Sequence, residues 1–125
     1  MPIVKIYGMP DRIGQHILGS LTVTMQFAVA NVEPLGIPPT DVTVFFPTDQ
    51  RKAGLGGELV VQIEGLYKKP ERTPEVLKQL HESVCECIKE FALIHLHECT
   101  YVEAMIMPMI TPADCTYSTI GKRTP

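Results

Sequence analysis

Two rhythms of apolar and polar residues run through this chain, and they occur twice in the same order. Ile3-Val4-Lys5-Ile6-Tyr7 reads as a strand. Ile17, Leu18, Leu21, Met25, Ala28 and Val29 then recur at helical spacing, with Asp11 placed to cap the helix. Gly14, Gly19 and the run Thr22-Val23-Thr24 weaken this helix intrinsically, so tertiary packing must hold it. Pro34, Gly36, Pro38 and Pro39 stop it, and the residues from Asp41 to Phe46 form a second strand closed by Pro47. The second copy is cleaner. Glu58 to Tyr67 reads as a long strand with Leu59, Val61 and Ile63 on one face. Thr73-Pro74 is a strong helix start, with threonine as cap and proline at the first helical position. Val76, Leu77, Leu80, Val84, Cys87, Ile88 and Phe91 trace one apolar stripe, and Tyr101 to Met109 is a last strand. That strand is apolar on both faces apart from Glu103, as a strand covered on both sides would be.

Each helix is long enough to carry the chain back across a sheet, so each strand–helix–strand unit is a parallel, right-handed crossover. The expected fold is α+β in two layers: two consecutive βαβ units, 1–50 and 54–110, forming a four-stranded sheet with two helices on one face. Residues 111–125 follow as a tail, either an arm or a loose end. Two helices leave the other face of such a sheet bare. A bare apolar face predicts self-association.

Composition narrows the function classes. A chain of 125 residues supports one domain with a moderate core, and its hydrophobic content of 45% hints at surface buried between subunits. A formal charge of −3 gives no reason to expect nucleic acid or an anionic membrane as partner. No apolar run approaches the roughly 20 residues of a bilayer span, and no basic–apolar signal opens the chain, so the expected location is the cytoplasm. Cys85, Cys87, Cys99 and Cys115 are then expected as reduced thiols. Cys85 and Cys87 diverge by about 200° around a helix axis, and Cys87 lies on the apolar stripe. No metal site is assigned to them or to His95, His97 and Cys99. His16 and His81 show no partner that would make a catalytic dyad.

Pro2 carries the candidate chemistry. Once Met1 is removed, the residue becomes a secondary amine, a base and a nucleophile, where an internal proline is neither. In an apolar pocket, lost solvation of the charged form lowers its pKa from an α-amino reference of roughly 8 toward neutrality. An amine poised there suits proton shuttling.

Pro2-Ile3-Val4-Lys5-Ile6, Arg12 and the run Gly54-Leu55-Gly56-Gly57-Glu58-Leu59, in this order and within two crossover units, resemble the tautomerase superfamily. The first half is similar to 4-oxalocrotonate tautomerase (4-OT). The duplicated length is similar to macrophage migration inhibitory factor. The resemblance implies a homotrimer with sites at subunit boundaries, a cofactor-independent isomerase, and Pro2 as the general base for enol–keto proton transfer. It also implies that Arg12 binds a substrate carboxylate. Thr43 stands where relatives contribute a second arginine, and Ala53 stands in place of a bulkier pocket wall. With one charge-assisted clamp lost, a small 2-oxo acid with a single carboxylate is the expected substrate. Glu64 breaks the apolar third strand, either to activate a water or to pair with Lys5 or Lys68. Hydration, dehalogenation or decarboxylation on a protonated Pro2 are alternatives on the same scaffold. So is a non-catalytic trimer that binds a ligand or protein.

Overall fold

The computed structural model describes residues 2–48 and 57–121. Four strands and two main helices follow in the expected order: β1 (Ile3–Tyr7), α1 (Gln15–Ala30), β2 (Thr43–Phe45), β3 (Glu58–Glu64), α2 (Pro74–His95) and β4 (Tyr101–Ile106). The sheet order is β2-β1-β3-β4. β1 pairs parallel with β2, and β3 parallel with β4, so each half is a βαβ crossover. The halves join through the antiparallel β1–β3 pair, in which Ile3 faces Glu64 and Tyr7 faces Val60. The sheet is therefore mixed, and its two halves run in opposite directions.

Strand alternation sends Val4, Ile6, Leu59, Val61 and Ile63 beneath the helices, where each is almost wholly buried. Leu21, Met25 and Val29 of α1 and Leu80, Val84 and Ile88 of α2 complete this single core. The helices are joined through Ser83, whose hydroxyl donates to the Ala28 carbonyl at 2.7 Å. Thr73 caps α2 as expected, its side chain accepting from the Val76 amide, with Pro74 opening the helix.

Other boundaries differ from the sequence expectation. Asp11 caps nothing: α1 begins at Gln15 behind Gly14, without a side-chain cap. A turn closed by the Ile13 amide on the Pro10 carbonyl intervenes, because Ile13 is drawn into the core before the helix starts. β2 loses its first residues to a 3-10 turn over Pro39–Asp41. β3 ends at Glu64 because Gly65 adopts φ +80°, a conformation open to glycine and strained for other residues. β4 stops at Ile106, and none of its residues is fully buried. It is an edge strand that, among the described residues, is covered by helices on one side. Among those residues no helix packs on the opposite sheet face, where Phe45 and Tyr101 stand 49% and 42% exposed.

Candidate active site

The two ends of the sheet are built alike and finished differently. At one end Pro2, just before β1, is buried, and its carbonyl accepts from the Thr43 amide at 3.1 Å. Beyond β3 the chain turns at Gly65, and residues 65–68 run on beside 107–110. Two bonds of 2.8 Å tie them there, from the Ile110 amide to Leu66 and from the Lys68 amide to Ile110, and a third of the same length runs from Met107 to Ile63 at the end of β3. Between this segment, the loop after α1 and the turn before β2 lies an open pocket of about 160 Å³. Pro2, Ile37 and Leu66 form its apolar wall, and Asp41, Lys69 and Arg72 bring charge to it.

Arg72 is the buried charged residue of the described chain, 7% exposed. Its Nη1 donates to the Tyr67 carbonyl at 2.6 Å and its Nη2 to the Leu35 carbonyl at 3.3 Å, while Nε finds no acceptor among the described residues. Desolvation pushes its pKa below the usual arginine value, although a guanidinium stays protonated throughout the working range. Asp41 and Lys69 are exposed by contrast. Tyr67, also at the pocket, has its phenol pKa raised, chiefly by the Cys115 thiol beside it and then by desolvation.

The residues expected from sequence separate in space. Thr43 lies beside Pro2 through the backbone contact above. Glu64 sits in register with Ile3, but its carboxylate pairs with Lys5 at 2.9 Å on the open face. This contact raises the Lys5 pKa, first through the hydrogen bond and then through the charge. Glu64 is thus paired with Lys5 within the protomer. Arg12 follows the far end of β1, away from Pro2 within the protomer, and its guanidinium engages the Glu98 carboxylate. Glu98 is held below the usual carboxylate range by its own backbone amide and then by Arg12. The first three residues of the Gly54–Gly57 run, and Ala53, lie outside the described residues. Cys87 is buried, which pushes its thiol up to about 11. His95 stacks on Phe91 with ring centroids 4.7 Å apart. Among the described residues no cluster of three or more histidine, cysteine, aspartate or glutamate side chains is arranged to hold a metal ion.

No family model matches the sequence, and the search of curated proteins finds no match. Solved structures do match. A fused 4-OT, solved as an asymmetric trimer, superimposes with a TM-score of 0.66 at 16% identity, covering 98% of this chain and 94% of the other. A macrophage migration inhibitory factor-like protein from Entamoeba histolytica gives 0.65 at 16% identity, covering 94% and 95%. A member of the cis-3-chloroacrylic acid dehalogenase family gives 0.67 at 15% identity, covering 98% and 83%. This chain shares the fold of these structures.

Within that fold, sequence reading missed the charged lining of the Pro2 pocket. Lys69, Arg72 and Asp41 sit in polar, proline-rich connections that look like solvated loops in the linear chain. One signal was available: Arg72 stands two residues before Pro74, so the start of α2 anchors it. Nothing in the sequence shows that the loop folds inward beside Pro2.

Proposed function

We propose that this chain is a cofactor-independent tautomerase, with the Pro2 amine as base once Met1 is removed. The observation that carries the reading is the pocket itself: a buried Pro2 shares one small cavity with two cations, Lys69 and Arg72. A space of about 160 Å³ suits a substrate of a few carbons. Its cations suit a carboxylate. The unprotonated amine takes the proton from the enol oxygen; its conjugate acid returns that proton to carbon, so that one group serves as base and then as acid. Lys69, exposed and flexible, anchors the carboxylate, and the fixed charge of Arg72 stabilises negative charge gathering on the substrate oxygen.

The expected assembly is a homotrimer. The helix-free sheet face supports it, and so does the trimeric state of the fused 4-OT. Arg12 belongs to the opposite sheet end from Pro2, so a role in substrate binding requires that it reach the pocket of a neighbouring copy. Native mass spectrometry reads the assembly directly, and a monomer at working concentration removes Arg12 from the site.

Asp41 favours one second reading. A carboxylate at the pocket wall can orient or activate water, which turns the same scaffold toward hydration or dehalogenation on a protonated Pro2. Incubation of the protein as expressed with a small halogenated 2-oxo acid, followed by intact-mass analysis from pH 5 to 10, separates the readings. Single labelling at Pro2 with a midpoint near neutrality, together with enol–keto turnover lost in Pro2→Ala, supports the tautomerase. A midpoint near 9, with halide release far in excess of one equivalent per chain, supports the alternative. A chain that keeps Met1 and resists labelling ends both.

A further inference from the structure

The pocket holds three charged side chains, and they differ in the property that decides how strongly each acts on an amine: contact with water. Asp41 and Lys69 are exposed, and mobile ions screen their fields. Arg72 is buried, and among the described residues no carboxylate lies within ion-pair distance of it. Two of its donors go to backbone carbonyls instead, and Nε finds no acceptor among the described residues. One carbonyl belongs to Leu35, in the loop after α1; the other belongs to Tyr67, in the segment after β3. Both segments line the Pro2 pocket.

We propose that Arg72 is a positioning residue with two effects: it braces the two pocket-lining segments through their carbonyls, and its buried charge keeps the Pro2 amine neutral at working pH. The physics of the second effect is simple repulsion. A fixed cation in a poorly hydrated site disfavours a second cation beside it, so protonation of the amine becomes harder. Arginine suits the role because its own proton cannot be lost to relieve the repulsion.

The other groups around Pro2 act more weakly or in the opposite sense. From the turn before β2, Asp41 favours the protonated amine, through solvent. From the segment after β3, Lys69 opposes it, also through solvent, and Tyr67 is neutral with a raised pKa. Glu64, at the end of β3, and Lys5, within β1, compensate each other on the open face. Glu71 lies next to Arg72 in sequence and is exposed. In the tail, Asp114 turns back on Thr111, and Cys115 meets Tyr67. Of the charged groups lining the pocket, Arg72 alone among the described residues is buried, and the charge of exposed Glu71 acts on it only in part through solvent. This inference rests on Pro2 being the reacting amine, but it concerns the amine's ionisation and not the reaction catalysed.

The test is a titration of the Pro2 nitrogen by NMR on 15N-proline-labelled protein, released from a cleavable leader so that the chain begins at Pro2. This reads ionisation whether or not the protein turns over any substrate. Wild type is expected to titrate at least one pH unit below the roughly 8 of an ordinary α-amine. Arg72→Gln is expected to raise the midpoint by about one unit, and Arg72→Lys to restore most of the shift, because a charge is retained while the fork of donors is not. Asp41→Asn should lower the midpoint slightly. An unchanged midpoint in a folded Arg72→Gln overturns the proposal, as do equal shifts in the Gln and Lys variants, which would mark a purely structural brace. If Arg72→Gln does not fold, ionic strength decides on wild type alone. A midpoint that stays within a few tenths between 0.05 and 0.5 M salt supports a buried source. One that climbs to the ordinary value assigns the effect to exposed Lys69 and overturns the proposal. A lowered, Arg72-dependent midpoint without enol–keto turnover would leave this inference standing and remove the proposed function.

Discussion

The Pro2 end and the Gly57 end of the sheet are counterparts that have diverged. Each residue stands immediately before the first strand of its half, and each carbonyl accepts from an amide at the entrance of the parallel partner strand. That amide is Thr43 for Pro2 and Thr100, at 2.7 Å, for Gly57. Each first strand is followed by a glycine with positive φ, Gly8 at 93° and Gly65 at 80°. Their surroundings then part. At the Pro2 end a buried arginine, bonded only to carbonyls, borders an open pocket. At the Gly57 end the arginine is Arg12, exposed and paired with Glu98. Gly57 is pressed so closely onto the Glu98–Cys99 backbone that an added Cβ would lie 1.9 Å from the Glu98 carbonyl oxygen. Among the described residues, the same backbone frame thus borders a cavity at Pro2 and a close backbone contact at Gly57. The repeated βαβ unit supplies the scaffold, while side-chain size and charge pairing differ between its two ends.

Four substitutions break or sharpen this contrast. The largest effect is expected from Pro2→Ala, which removes the secondary amine: enol–keto turnover falls by roughly 10²–10⁴-fold in a steady-state ultraviolet assay, while the melting temperature hardly changes. At the other end the response inverts. Gly57→Ala forces a methyl into backbone and is expected to cost about 3 kcal/mol, read as a fall in Tm of roughly 10 °C by calorimetry. A Gly57→Ala protein as stable as wild type would mean that this end is not closed as described.

Lys69→Ala should raise KM by roughly 10- to 100-fold with kcat nearly held, since an anchor that grips substrate and transition state alike contributes uniform binding. Equal losses in kcat and kcat/KM would move Lys69 from anchoring to charge stabilisation. The smallest effect belongs to Glu98→Gln. The depressed folded-state pKa of Glu98 contributes stability that is present above the ordinary value of 4.5 and is lost as pH falls through the folded value. Because the pair is exposed, Tm near neutrality should scarcely move, and the difference between variant and wild type should vanish in acid. A large Tm loss at neutral pH would show that the exposed pair is a structural clasp.

Much of the architecture was legible in the linear chain because it depends on local periodicity. The alternation in Leu59, Val61 and Ile63 and the stripe from Val76 to Phe91 mark the buried faces found in the fold. Thr73-Pro74 marks a cap that forms. The failures also have a common cause. Asp11 had the chemistry of a cap, but burial of Ile13 outweighed it. The last strand read as covered on two faces, and in the protomer its residues are only partly buried, because composition does not tell which face of an apolar strand the helices cover. At the site, Pro2 and Thr43 were identified and lie together. Arg12 and Glu64 were also singled out, and each is paired elsewhere.

What the sequence determined by itself was the pair of βαβ units, their helix-facing residues and the candidate amine. These follow from spacing along the chain, where the interacting positions are two to four residues apart. Only the tertiary structure decided that Asp41, Lys69 and Arg72 surround Pro2, and that Arg12 does not within the protomer. The reason is distance along the chain. Arg72 meets Leu35 across 37 positions and shares a pocket with a proline 70 positions away, and no local pattern encodes which loops a sheet will bring to the same end. Burial then turned an ordinary loop arginine into the least screened charge in the pocket.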